Sequence, residues 1–214
     1  MERKEVSKAV LKRLPGYLAY LKAVPEGGSP YISATALANA LGMGEVQVRK
    51  DLAMVSDGGR PKIGYLRAGL IDDIEQFLGF DNTTDAVLIG AGKLGQALCD
   101  YGGFHAYGLN ILAAFDLYPS AARTEGGTPI YPMAQLHSFC RTNKVLMGII
   151  TVPAGSAQQV CDQLIDSGIK AIWSFASSHL DVPEGILVQY ENMATSLAVL
   201  SMQLQAQIKE NSKE

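Results

Sequence analysis

The segment D-A-V-L-I-G-A-G-K-L-G-Q-A-L, residues 85–98, limits the possible folds of this chain more than any other stretch. Apolar residues run into G-x-G-x-x-G and then into a helical pattern, the strand, turn and helix that open a βαβ unit. Gly90 permits the tight turn, Gly92 lets backbone approach a pyrophosphate, and Gly95 lets helix and strand pack closely. Around them Ala91, Lys93 and Leu94 carry the helix N-terminus, whose amides and partial positive charge suit that anion. A second strand, L-N-I-L-A-A-F-D, ends in Asp116 beside Leu117, at the spacing of an acidic residue that binds the adenosine ribose hydroxyls. A carboxylate there repels a 2′-phosphate, so NAD(H) is favoured over NADP(H). Arg123, seven residues on, reads as an exposed loop cation.

Further βα units follow: P-M-A-Q-L-H-S-F-C as a helix, V-L-M-G-I-I-T-V as a strand, a helix from Gly155 and Ser156, and A-I-W-S-F-A as a strand. Ligands of such sheets sit beyond the strand carboxyl ends. Thr151, Val152 and Pro153 at one end, and Phe175 with Ala176 at the next, should therefore line the nicotinamide half of the site.

Ahead of this unit the charge changes sign. Residues 1–67 hold eleven Lys and Arg against six Asp and Glu, while the remainder holds seven against fifteen. A basic front on an acidic body suits a polyanion partner for the front. Residues 6–24 have helical spacing, with Pro15-Gly16 expected to kink or start a helix. Ser33 is a candidate N-cap for A-T-A-L-A-N-A-L, which stops at Gly42 just before G-E-V-Q-V-R-K-D-L-A-M-V, residues 44–55. That stretch reads as a helix burying Val46, Val48, Leu52 and Val55 and exposing Gln47, Arg49 and Lys50. Two helices across so short a turn form a helix-turn-helix; S-D-G-G-R-P-K-I-G-Y then suits a β-hairpin wing, and A-G-L-I-D-D-I-E-Q-F-L a helix ending at Gly79. In a winged helix Gln47, Arg49 and Lys50 reach base edges and phosphates in the major groove, with Arg60 and Lys62 near the minor groove. A surface helix laced with salt bridges is the alternative use of the same charges.

With 214 residues and 48% hydrophobic content the chain can bury a substantial core. It carries no long apolar run and no signal-peptide pattern, so a soluble, cytoplasmic protein without membrane partner is expected. Cys99, Cys140 and Cys161 are widely spaced and read as reduced core thiols, with no metal site. His105, His137 and His179 show no arrangement suited to general acid work, and no residues remain for a substrate domain. The chain ends in a helix capped by Asn192, with Met193, Leu197, Leu200, Leu204 and Ile208 on one stripe. Such a stripe needs a partner surface, most simply a second subunit.

The segments K-A-V-L-K-R-L-P-x-Y-L, Q-V-R-K-D-L-A, I-G-Y, G-A-G-K-L-G-Q-A-L, A-F-D, V-P-A, H-L-x-V-P-E-G and S-L-A-V-L-S span nearly the whole chain. In this order they resemble the redox-sensing transcriptional repressor family Rex. The resemblance implies an α/β chain with a winged-helix DNA-binding domain over 1–82, a Rossmann NAD(H)-binding domain over 83–191 and a C-terminal dimerisation helix over 192–214. It implies a homodimer whose last helix swaps onto the partner, binds operator DNA, and is released by NADH, with NAD+ the weaker effector. By the same likeness Arg13 contacts DNA backbone, Tyr101 and Asn192 lie near the nicotinamide, and Ser33, Thr35 and Tyr65 join the DNA-contacting set.

Three departures stand out. The family's F-G-E-F-G-K-R-G-V-G-Y is here V-S-D-G-G-R-P-K-I-G-Y, Asn192 stands where an aspartate is usual, and Ser174 and Ser177 replace an asparagine and a proline around F-A. Two other classes remain: a small NAD-dependent oxidoreductase with a helical appendage, and a constitutive DNA-binding protein whose dinucleotide domain only dimerises.

Overall fold

A computed structural model describes residues 7–25, 27–80 and 83–211 and divides the chain between residues 82 and 83 into two compact units. The first contains α1 (Lys8–Ala23), β1 (Tyr31–Ile32), α2 (Ala34–Ala40), α3 (Glu45–Val55), β2 (Tyr65–Leu66) and α4 (Arg67–Leu78). Leu14, Tyr17, Leu18 and Leu21 of α1 pack with Leu37, Val48, Leu52, Leu70 and Ile74 into one core. Ser7 and Ser33 cap α1 and α2, their hydroxyls accepting from the amides of Val10 and Ala36.

Several expectations need correction here. α1 does not start at Pro15 but runs through it from Lys8. Pro15 forgoes its amide bond and its ring crowds the Leu11 carbonyl, a cost offset by the burial of Leu14, Tyr17, Leu18 and Leu21 along the same helix. Val46 is 64% exposed, not buried, because the inward stripe of α3 is Val48, Asp51 and Leu52. The wing is not a hairpin of two strands. It is a tight turn closed by one Arg60–Gly64 bridge, and the strand that follows pairs antiparallel with β1.

The second unit contains β3 (Thr84–Ile89), α5 (Lys93–Cys99), β4 (Leu109–Asp116), β5 (Ile130–Pro132), α6 (Leu136–Asn143), β6 (Met147–Ile150), α7 (Ala154–Asp166), β7 (Ala171–Ser174), β8 (Leu187–Tyr190) and α8 (Met193–Asn211). Its six strands are all parallel in the order β5-β4-β3-β6-β7-β8, the doubly wound Rossmann order. Both faces of the sheet are covered, one by a core centred on Ile89, Phe115, Ile150 and Leu164, the other by one around Leu88, Ala114 and Ile149. That double burial explains the unbroken apolar run of β3. Burial pushes the Cys99 thiol up to about 12, and those of Cys140 and Cys161 to about 11, so all three stay protonated near neutrality.

Candidate functional site

In the first unit α3 presents Gln47, Arg49 and Lys50 on an exposed face. Thr35 on α2, and Arg60 and Lys62 on the wing turn, are exposed as well. Ser33 is half-buried and its hydroxyl is spent on the α2 cap. Arg49 forms an i,i+4 ion pair with Glu45, a surface pairing that holds the side chain without burying it. Tyr65 is 9% exposed and belongs to the core, so most of its ring is inside the unit rather than on this face.

Arg13 is likewise turned inward. Its Nε donates to Asp51 Oδ2 at 2.7 Å and its Nη2 to Oδ1 at 2.9 Å, a bidentate fork across α1 and α3. The Tyr17 hydroxyl donates to the same Oδ2 at 2.8 Å. With the amide orientation its neighbours favour, Gln47 Oε1 lies 3.0 Å from Arg13 Nη1 and 3.3 Å from both Nε and Nη2, stacked over the guanidinium face. Burial by itself would raise the Asp51 carboxyl, but the Arg13 and Tyr17 hydrogen bonds and the Arg13 charge outweigh it and hold the group below its ordinary range. Burial and the neighbouring carboxylate push the Tyr17 phenol up to about 12.

Sequence reasoning missed Asp51 and Tyr17. The available signal was a charged residue inside each of two apolar stripes: Arg13 among Val10, Leu14 and Tyr17, and Asp51 between Val48 and Leu52.

In the second unit the switch point lies between β3 and β6, and a crevice of about 360 Å³ opens there. It brings together Gly90, Gly92, Asp116, Leu117, Thr151, Val152 and Pro153, with Met133 and Gln159 as lining that sequence reasoning missed. The glycine turn is tied down from three sides. The Gly90 amide donates to Phe115 O at 2.8 Å, the Ala91 amide to Asp116 Oδ2 at 2.8 Å, and Thr151 Oγ1 to Gly90 O at 2.8 Å. Gly90 holds φ +103°, a conformation that side chains rarely adopt. At Gly92 an added Cβ would meet nothing within 4 Å, so the backbone there is open to a ligand. Lys93 and Leu94 are exposed on the first turn of α5, whereas Ala91 and Gly95 are buried.

Other candidates lie on different elements. Phe175 and Ala176 follow β7, Ala176 being buried. Tyr101, 56% exposed, begins a run of ring contacts: Tyr101 to Phe104 at 4.9 Å, Phe104 to Trp173 at 5.6 Å, and Trp173 to Phe175 at 4.9 Å. Trp173 also donates to Glu191 at 3.1 Å. Asn192 is exposed and its side chain accepts from the Thr195 amide, capping α8. Along α8 Leu197, Leu200 and Leu204 are 63%, 62% and 55% exposed. Of the described residues, no group of three or more His, Cys, Asp or Glu could hold a metal, and no helix is long and apolar enough to cross a membrane.

Comparison with known proteins agrees with this division. Residues 5–53 match a family model described as a putative DNA-binding protein N-terminus, and residues 81–178 one described as a CoA binding domain. A redox-sensing transcriptional repressor Rex of Porphyromonas gingivalis is 39% identical over 197 residues, 92% of this chain and 90% of that protein. One from Treponema denticola is 38% identical over 198 residues, 91% of this chain and 93% of that protein. The crystal structure of RSP with β-NAD+ and operator DNA covers 99% of both chains with a TM-score of 0.86 and 31% identity. RSP with β-NADH covers 99% of this chain and all of that one at 0.86 and 30%.

Proposed function

Since the chain belongs to the Rex family of redox-sensing transcriptional repressors, we propose that its first unit binds operator DNA and its second takes NADH and NAD+ as effectors rather than substrates. The single observation that carries this is the end-to-end match to a repressor solved with NAD+ and operator DNA together. In this reading Gln47, Arg49 and Lys50 enter the major groove, Arg60 and Lys62 approach the minor groove, and Ser33 and Thr35 lie against the backbone. The pyrophosphate sits over Gly92, Asp116 takes the ribose hydroxyls, and Thr151, Val152 and Pro153 line the nicotinamide half. Lys93, Leu94, Leu117, Tyr101, Phe175 and Asn192 complete the cofactor surroundings.

A homodimer suits the exposed stripe of α8, because two half-sites one DNA turn apart, about 34–36 Å, need two recognition helices. Switching is then linkage. NADH binds better to a dimer in which that spacing is wrong, so cofactor and DNA compete through a conformational equilibrium. Full switching needs roughly 10⁴-fold preference for one state. A gel-shift titration is the test: NADH should release the operator fragment, NAD+ should do so less, and binding unchanged at saturating NADH would overturn the proposal.

Two further outcomes follow from the DNA face. Affinity should fall steeply with salt, because several phosphate contacts release counterions. A flat dependence between about 50 and 200 mM salt would contradict it. Glu45→Gln frees Arg49 and removes a negative charge from the face, so binding at low salt should strengthen about two- to threefold in an anisotropy titration. Weaker binding would mean that Glu45 positions Arg49 rather than restrains it.

A further inference from the structure

The wing is fixed at its stem and exposed at its tip. Arg60 and Gly64 exchange backbone hydrogen bonds at 2.9 Å in both directions. Gly59 lies so close to the Tyr65 ring that an added Cβ would meet its Cζ at 2.8 Å, and at Gly64 a Cβ would collide with the Ile32 carbonyl oxygen of β1. Between these anchors Pro61, Lys62 and Ile63 are all exposed. The Ile63 amide donates to Arg60 O at 3.2 Å, closing a turn with Pro61 and Lys62 at its centre, and Lys62 holds φ +66° there. Positive φ at the residue after a turn's proline is the type II form, in which that place is ordinarily taken by glycine.

A Cβ disfavours the conformation by roughly tenfold relative to glycine. Lys144, the other described non-glycine residue with positive φ, ends α6 with its amide bonded to the Arg141 and Cys140 carbonyls, a cap that accounts for it. Nothing comparable compensates Lys62, which forms no ion pair and no hydrogen bond among the described residues. Backbone outliers of this kind gather at ligand clamps, where the bound state makes use of them. We infer that Pro61 is a positioning residue: its ring sets one dihedral angle of the turn, the stem sets the ends, and Lys62 is left in the left-handed conformation with its cation prepared for the minor groove. The strain is offset when the ammonium meets the negative potential of the groove, which is strongest where runs of A·T narrow it. This inference rests on the DNA-reading role proposed above and adds how the wing is prepared for it.

The probe is a duplex enriched by the wild-type full chain from a randomised library. It is titrated by fluorescence anisotropy against wild type, Lys62→Gly, Pro61→Ala and the double variant, and each protein is melted thermally. Lys62→Gly should melt no lower than wild type, because glycine takes φ +66° freely, yet bind about three- to tenfold more weakly with a salt slope smaller by about one. Pro61→Ala leaves the net charge unchanged and should weaken binding about threefold, because the tip must then be ordered on the DNA. In the Lys62→Gly background the same change should alter binding by less than about 1.5-fold, a coupling that a merely structural proline would not show. Selection repeated with Lys62→Gly should lose the enrichment of A·T pairs flanking each half-site. The inference is overturned if Lys62→Gly binds as tightly as wild type, melts markedly lower or keeps that enrichment, or if Pro61→Ala weakens binding equally in both backgrounds; the repressor reading then stands. A wild type that enriches no duplex brings down both.

Discussion

Asp51→Ala is expected to lower the stability of the first unit by about 3–5 kcal/mol, the cost of removing one partner from a buried ion pair. The loss is larger than the pair's own net worth, because Arg13 is left with its Nε and Nη2 facing an apolar gap and the Tyr17 hydroxyl loses its acceptor. Since the Arg13 side chain keeps 20% exposure, some of the loss can be recovered by water, which places the effect toward the lower end. The pH dependence has a definite sign. The Asp51 carboxyl is held below its ordinary value of 3.8, so its stabilisation is present above that value and disappears as pH falls through the folded-state pKa. Asp51→Asn should therefore be less stable than wild type at neutral pH and lose less on acidification. Urea unfolding followed by circular dichroism at neutral and acid pH measures both. A wild-type midpoint for Asp51→Ala would show that the Arg13–Asp51 fork contributes nothing.

Much of the fold was legible because local chemistry and tertiary structure agree along most of the chain. The fingerprint glycines, the buried run of β3 and the capped start of α2 each state their role in a few consecutive residues. Asp116 was legible in place but not in detail. It reaches the crevice as expected, yet its carboxylate also accepts from the Ala91 amide and so braces the turn it serves. What stayed hidden depends on contacts between distant residues. β1 is two residues long and exists only because β2 pairs with it, and β5 and β8 are edge strands in which Pro132 and Gln189 interrupt the kind of apolar run that marked β6. Val46 and Asp51 show the same limit in the site. Apolarity put Val46 inside and left Asp51 unmarked, but α3 is rotated so that Asp51 meets Arg13, a partner 38 positions away that no helical periodicity can reveal. The ring contacts from Tyr101 to Phe175 join a turn after α5 to the end of β7 and were equally invisible.

Gly95→Ala is expected to weaken NADH binding by roughly 10²-fold while leaving the first unit and its affinity for DNA intact. The added Cβ would be driven into the Gly90 carbonyl oxygen, and would also meet Leu88 Cδ2 at 2.9 Å and Thr151 Oγ1 at 3.0 Å. The first of these is backbone, and it cannot turn away: Gly90 O accepts from Thr151 Oγ1, and the Gly90 amide is bonded to Phe115 O. The methyl must therefore lift α5 from β3. That overpacking costs about 3 kcal/mol, a factor of roughly 10² in affinity if it falls wholly on the ligand-competent geometry. Calorimetric titration with NADH measures the loss, and an operator gel shift shows the consequence: the variant should hold DNA at NADH concentrations that release the wild type. Gly92→Ala provides the contrast, because a Cβ there meets no protein atom within 4 Å and can obstruct only what approaches from outside. Equal stability of the Gly92→Ala and wild-type chains, with weakened NADH binding in the variant alone, would locate the pyrophosphate over that residue. Normal NADH binding by Gly95→Ala would show that α5 and β3 need not pack this closely for the crevice to work.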